Sequence, residues 1–332
     1  MTTQYKVKAP SNIALLKYWG KSNGQYPINP NISFTLKNAL TELEYSYQKR
    51  VDRNIVISDL LFDEKSNLEF KNNLENKFKR LFNLYEFPFG IDLVLKTNNT
   101  FPHSSGIASS ASSMACIAKM LSEIYQLKDR NVISSFAREL SGSACRSVSS
   151  GWNLWGQTDL IPGSSQEHSV VINERIHPGH HTLQNWIFVC SQKVKSLSSS
   201  EGHKLMENHI FLPSRIESTH SRLKLMLNLL EIAPSREFFE IVEKEALELH
   251  ALMMTSHSPF ILLEPESLSL MSKITNLRKQ GINCGYTLDA GSSVHLLFPK
   301  DQLELMKRNY QEHYFGQKGT HFVDILWDEC QL

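Results

Sequence analysis

Apolar and polar positions change period several times along the chain, and each change marks an element. Residues 5–9 (Tyr-Lys-Val-Lys-Ala) alternate and halt at Pro10, which predicts a short strand. Residues 34–36 and 43–47 predict two more strands, and 53–58 another. From 66 to 85 the period changes: Leu68, Leu74, Phe78, Leu81 and Leu84 recur at helical spacing. Residues 90–96 alternate again, with Ile91, Leu93 and Leu95 on one side. A polar turn over 97–105 then leads into a long helix whose stripe is Met114, Ile117, Leu121 and Ile124. In the second half, residues 186–190 read as a buried strand, followed by helices near 201–230, 235–255 and 266–280. The middle one buries Phe238, Ile241, Val242, Leu249 and Met253. Residues 286–288 and 294–298 predict strands flanking a glycine turn, and 302–310 a last helix. Strands and helices intermix without strict βαβ alternation, so the expected class is α+β. A boundary is expected near 175–185, in the stretch His177-Pro178-Gly179-His180-His181.

Composition narrows the range of functions. A chain of 332 residues holds one or two domains with a substantial core. Thirty-five Lys and Arg against 34 Asp and Glu leave a net charge of +1, without the basic surplus of a dedicated nucleic-acid binder. No run approaches the roughly 20 apolar residues of a membrane-spanning helix, and the N-terminus lacks a signal-like apolar stretch. Five scattered cysteines without CxxC pairing favour reduced thiols, so a soluble, cytoplasmic protein is expected.

Three segments carry candidate chemistry. In the first, Asn98 to Ala111, a turn of small and hydroxylated residues runs into a helix. Free N–H groups at a helix start form a phosphate site, and hydroxyls at Ser109 and Ser110 are candidate donors to phosphate or ligands of Mg²⁺. The competing reading is a Ser-rich helix cap; no GxxxxGK[ST] string occurs in the chain. The second is Ser141-Gly142-Ser143-Ala144-Cys145-Arg146-Ser147, where small residues admit a ligand and Arg146 offers a fork matched to carboxylate or phosphate. A helix-connecting turn with a surface Arg is the plain alternative. The third pairs Asn12 to Lys21, carrying Lys17, Tyr18 and Lys21, with Asp289-Ala290-Gly291 at a strand end. Spacing alone does not bring these two together. The three histidines at 177–181 fit a linker better than a metal site, since no HExxH helix accompanies them.

Jointly the segments resemble the diphosphomevalonate decarboxylase family of the GHMP kinase superfamily. Its opening motif is matched at 12–21 and 27–36, its phosphate loop at 98–111, its Ser-Gly-Ser-Ala-Cys-Arg-Ser at 141–147 and its Asp-Ala-Gly at 289–291, in order. The resemblance implies a ribosomal protein S5 domain 2-like N-terminal domain (1–182) and a ferredoxin-like α+β C-terminal domain (183–332), with the site between them. It implies that ATP with Mg²⁺ phosphorylates the 3-hydroxyl of mevalonate 5-diphosphate, and that loss of phosphate and CO₂ gives isopentenyl diphosphate. On this resemblance Asp289, Lys17 and Arg146 are catalytic. Tyr18, Lys21, Ser141, Ser143 and Ser199 bind the substrate, and Asn98, Pro102, Ser105, Gly106, Ala108, Ser109 and Ser110 bind ATP. A homodimer is also implied. Two departures stand out. Ser200 takes the place of an Arg that bacterial members commonly carry, and Ser292-Ser293 replaces Pro-Asn after Asp-Ala-Gly. The competing functions are a decarboxylase of mevalonate 5-phosphate, a mevalonate 3-kinase, and a metabolite or nucleotide sensor.

Overall fold

The computed structural model describes residues 3–22, 25–101, 107, 109–191, 199–309 and 324–332. The first half builds a mixed sheet from β1 (Tyr5–Leu16), β4 (Asn31–Arg50), β5 (Ile55–Phe62), β6 (Lys65–Ser66), β7 (Gly90–Asn99), β8 (Trp152–Trp155) and β9 (Ser169–Val171). Its order is β6-β5-β7-β4-β8-β9, with β1 along the other side of β4. A small hairpin, β2 (Lys21–Ser22) with β3 (Tyr26–Pro27), stands apart. The second half contributes an antiparallel sheet, β11-β12-β10-β13, from β10 (Gln184–Val189), β11 (Gly285–Thr287), β12 (Val294–Phe298) and β13 (Asp324–Glu329).

Helices cover both sheets. In the first half these are α1 (Leu68–Leu84), α2 (Ser109–Ile124) and α3 (Arg130–Leu140), and the short α4 (Pro178–His181) leads to the second sheet. The second half carries α5 (Ser199–Lys204), α6 (Leu212–Leu230), α7 (Arg236–Met254), α8 (Pro265–Lys279) and α9 (Leu303–Asn309). α1 buries Leu74, Phe78 and Leu81, the positions the helical period selected, and Asn67 caps it by accepting the Phe70 N–H at 2.9 Å. α2 is enclosed along most of its length, which its small residues permit. One core lies between the first sheet and α1–α3. Another joins Phe34 and Trp152 of the first sheet to Leu227, Phe238, Phe239 and Leu297 of the second half. Each such side chain contributes about 1.5–3 kcal/mol on burial, so the two halves are welded rather than tethered.

Several elements differ from the sequence expectation. β1 does not stop at Pro10 but runs on to Leu16, with a register shift between Pro10 and Asn12. A bulge on a strand that pairs with β4 alone among the described residues tolerates the missing N–H. The two strands expected at 34–36 and 43–47 are one 20-residue strand, β4, and β7 runs to Asn99, three residues into the turn expected over 97–105. The helix expected over 201–230 is two, α5 and α6. α3 and β13 had no counterpart in the periodicity reading. Beyond β13 the chain returns to the first sheet: Leu36 bridges Cys330, and Gln331 donates its N–H to Thr35 O at 2.9 Å.

Candidate active site

Lys17 follows the last residue of β1, where the chain leaves the sheet, and it is 1% exposed. Its Nζ donates to Ala14 O at 2.6 Å and to Asp289 Oδ1 at 2.7 Å. Residues 272 apart in sequence thus form one ion pair. Asp289 lies in the turn between β11 and β12, a tight turn in which the Gly291 N–H reaches Asp289 O at 2.7 Å. Ser267 Oγ donates to Ser292 O at 2.6 Å and ties this turn to the start of α8. The Asp289 side chain keeps 28% of its surface accessible, so the pair has one open side.

Burial alone would raise the Asp289 carboxyl pKa. The charge and hydrogen bond of Lys17, with His295 and Arg146, outweigh it, and the group is held below its ordinary range. Burial pulls the Lys17 ammonium below its ordinary pKa, against the pull of Asp289 and Glu245. Among the described residues, Arg146 has a buried guanidinium with no carboxylate in contact. Its NH1 donates to Asn31 Oδ1 at 2.7 Å, and its Nε has no partner. A planar, charged fork held out of water, with Asp289 acting on it only at a distance and no carboxylate in contact among the described residues, has the chemistry to accept an anion. It lies on the 3₁₀ turn Gly142–Ser147, where Asn12 Nδ2 donates to Ser143 O at 3.3 Å and to Ser147 Oγ at 2.8 Å.

Tyr18 packs against Trp155 and His203 in tilted contacts, at centroid distances of 4.7 and 4.2 Å. Its Oη sits where a Cβ on Gly142 would fall, 2.7 Å away, so only glycine fits there. Burial raises its phenol pKa and keeps it a neutral donor. Ser141 Oγ lies 3.0 Å from Ser110 Oγ, so the 3₁₀ turn meets the first turn of α2. Lys21 bonds Gln25 Oε1 at 3.0 Å; burial, then Lys204 and Arg80, lower its pKa. Lys77 of α1, which donates to Leu140 O, has its pKa lowered to about 8 by burial, then by Arg80 and Lys21. Lys21, Lys77, Arg80 and Lys204 therefore share one field, with Glu139 3.6 Å from Arg80 and Glu207 acting on Lys21.

The structure brings Lys17, Asp289, Arg146, Tyr18, Ser141, Ser143 and Ser110 into one region around the 3₁₀ turn. Asn98 stands elsewhere, exposed on β7 over an open cleft of about 480 Å³ lined also by Lys6, Glu42, Asp63, Glu64 and Lys96. Pro102, Ser105, Gly106 and Ala108 lie outside the described residues, as does the side chain of Ser199. Ser109 opens α2, with its neighbour Ser110 exposed. No group of three His, Cys, Asp or Glu able to hold a metal occurs among the described residues. The histidines at 177–181 have structural partners: His180 Nε2 meets Leu229 O and Ile232 O, and His181 Nε2 meets Ile176 O.

Two groups near the pair were not foreseen. His295 on β12 is 1% exposed and shares a 3.1 Å hydrogen bond between Nδ1 and Asn185 Oδ1, and its Nε2 has no partner among the described residues. Glu245 on α7 accepts the Lys17 N–H at 3.0 Å. Its signal was in the sequence, because position 245 falls on the same helical stripe as Phe238, Ile241, Val242 and Leu249.

A helix start beside a small-residue turn, with a buried Lys–Asp pair and an Arg near it that touches no carboxylate among the described residues, fits the GHMP kinase class. Two family models match the chain. One is the diphosphomevalonate decarboxylase-like N-terminal domain, over residues 9–170, and the other the mevalonate 5-diphosphate decarboxylase C-terminal domain, over 186–327. The chain belongs to the diphosphomevalonate decarboxylase family. A relative from Candida albicans, diphosphomevalonate decarboxylase, is 26% identical over 96% of this chain and 91% of its own length. The crystal structure of a mevalonate diphosphate decarboxylase from Legionella pneumophila superposes with a TM-score of 0.79 at 29% identity, covering 98% of this chain and all of that one. A structure of MDDEF in complex with MVAPP, AMPPCP and magnesium gives 0.80 at 24% identity, over 99% of this chain and 97% of that one, a likeness of fold.

Proposed function

We propose that this chain catalyses the ATP-dependent decarboxylation of mevalonate 5-diphosphate to isopentenyl diphosphate, with ADP, phosphate and CO₂ as the other products. The observation that carries the reading is the convergence of Asp289, Lys17 and Arg146 from three distant segments at one partly open point. Asp289 accepts the proton of the substrate's 3-hydroxyl as that oxygen takes the γ-phosphoryl group of ATP; a positioned general base contributes about 10²–10⁴ in rate. Lys17 balances the negative charge that moves between hydroxyl, carboxylate and phosphoryl oxygens. Arg146 takes the substrate carboxylate in its fork. The C3–O bond then breaks with phosphate leaving, and the electron pair of the breaking C–C bond forms the alkene as CO₂ departs.

The remaining assignments rest on the same frame. Tyr18, Lys21, Ser141, Ser143 and Ser199 would hold the diphosphate tail. The shared field of Lys21, Lys77, Arg80 and Lys204 supports a doubly phosphorylated tail even with Ser200 in place of the family's Arg. The 102–110 segment and the N-terminus of α2 would take the ATP phosphates, with Asn98 toward the base. Mg²⁺ would neutralise phosphate charge there, with Ser109 or Ser110 as its protein ligand. The hydroxyls at the start of α2 suit a metal carried in on phosphate. We read the domains as 1–182 and 183–332; the family matches break between 170 and 186, and the second sheet opens at Gln184. We also read the protein as a cytoplasmic homodimer. Five free, buried cysteines suit a reducing compartment, and the dimer follows from the family.

The test is product analysis with purified protein, ATP, Mg²⁺ and either mevalonate 5-diphosphate or mevalonate 5-phosphate. CO₂ and phosphate released in step with ADP, with the diphosphate preferred, is the expected result. ADP without CO₂ would identify a kinase, preference for the monophosphate would overturn the tail assignment, and nucleotide binding without ADP would identify a sensor.

A further inference from the structure

The backbone of Lys17 is held as firmly as its side chain, and the grip comes from the other half of the molecule. Glu245 Oε2 on α7 accepts the Lys17 N–H at 3.0 Å, and Arg215 NH2 on α6 donates to Lys17 O at 3.0 Å. Asn29 Nδ2 donates to the same carbonyl at 3.0 Å. Both polar groups of one peptide residue are thus engaged by a buried ion pair that is itself closed: Arg215 meets Glu245 through NH1 and NH2, at 3.0 Å each. Glu245 is fully buried and the Arg215 side chain 1% exposed. Arg222 and Glu248, about one-fifth exposed, complete a four-charge cluster on the solvent side; Arg222 bonds both glutamates and Arg215 NH1 reaches Glu248 at 2.8 Å.

Such a cluster is a costly way to join two helices. Desolvating four charges offsets most of what their attraction contributes, and apolar side chains would pack α6 on α7 at least as well. What the apolar alternative lacks is direction. Two charge-assisted hydrogen bonds fix the Lys17 peptide in position and orientation, and Nζ then has a defined reach to Asp289.

We infer that Glu245 and Arg215 are positioning residues for Lys17, setting the Lys17–Asp289 geometry from the packing of α6 against α7. The inference rests on the reading of Lys17 and Asp289 as the reacting pair. Charged and titratable groups facing Lys17 come from five elements: Asp289 from the β11–β12 turn, Glu245 from α7, Arg215 from α6, Arg146 from the 3₁₀ turn and His295 from β12. Glu245 favours the protonated ammonium, so its charge also bears on the pH at which Lys17 loses its proton.

The experiment compares full-length wild type, Glu245→Gln, Glu245→Asp and Arg222→Gln by steady-state kinetics across pH, per folded enzyme. Wild-type CO₂ release first establishes the reaction, and its absence would count against the proposed function rather than this inference. Glu245→Gln is expected to lower kcat about 10–100-fold with KM for ATP within about threefold, as loss of a charge-assisted hydrogen bond predicts. Its basic limb should move to lower pH. Glu245→Asp, which keeps the charge but withdraws it from the Lys17 N–H, should lower kcat while leaving that limb in place, and it carries the test if the Gln variant does not fold. Arg222→Gln breaks the same cluster without touching Lys17; it should lower Tm and leave kcat and the limb unchanged. Wild-type kcat in both Glu245 variants, or an equal loss of kcat in Arg222→Gln, would overturn the inference.

Discussion

At the scale of single residues, the site combines a charge that costs the fold stability with one that its partner stabilises in place. Arg146 is the first, a buried guanidinium anchored by one neutral amide and with no carboxylate in contact among the described residues. Replacing it with an apolar residue of similar length removes a desolvated charge. Arg146→Met should therefore raise Tm by a few degrees, about 2–4 °C per kcal/mol recovered, while abolishing decarboxylation. Calorimetry and CO₂ release on the same preparation check both; a fall in Tm would mean that the guanidinium has a native counter-charge. Asp289 behaves in the opposite way, since Lys17 stabilises its carboxylate. Asp289→Asn leaves Lys17 without its anion and, on the proposed mechanism, the 3-hydroxyl without a proton acceptor. Turnover should fall by about 10²–10⁴, with nucleotide binding retained by equilibrium titration.

At the scale of elements, the chain end matters more than its length suggests. Asp328, at the end of β13, accepts the N–H groups of Lys37, Asn38 and Ala39 at 2.9, 2.9 and 2.8 Å. Its carboxylate caps a stretch of β4 whose donors no strand satisfies, and it sews the last strand of the second sheet to the longest strand of the first. Asp328→Ala strands these three donors and the Glu329 N–H, which also bonds Oδ1 at 2.8 Å. A loss of about 3 kcal/mol or more is expected in urea unfolding, with little change in KM if the protein is assayed well below its midpoint. The same scale explains much of what periodicity missed. β13 was unreadable because its role is to pair with β10 and return to the first sheet, a non-local job with no local pattern. α1, α7 and α8 were legible because one face of each meets a core, and that demand writes itself into the sequence every three to four residues.

At the scale of the whole molecule, burial of neutral histidines makes the fold acid-labile. Burial lowers His180 and His295 to about 4 and His203 to about 3, against an ordinary 6.5. Between those values the unfolded chain binds protons that the native one does not, so stability falls as pH drops below 6.5. Each histidine contributes a slope of roughly 1.4 kcal/mol per pH unit until its native pKa is reached. His180 packs between Trp152 and Phe238, inside the core that joins the two halves. Urea midpoints measured from pH 7 to 4.5 should decline steadily, and His180→Gln should flatten the decline by about one proton's worth. An unchanged slope would mean that His180 titrates normally in the native state.

Fold class and family were written in the chain, because strand and helix periods are local and because the motifs at 12–21, 98–111, 141–147 and 289–291 keep their residue types in order. The sequence could also have marked Glu245, a charge on an apolar stripe. What only the tertiary structure decided is which of these residues meet. Lys17 and Asp289 are 272 positions apart, and nothing in either segment encodes a 2.7 Å contact. That contact comes from β1 and the β11–β12 turn being carried together by the shared core and by the α6–α7 charge cluster. Catalytic geometry is a property of packing over long separations, and local sequence specifies the parts but not the distance between them.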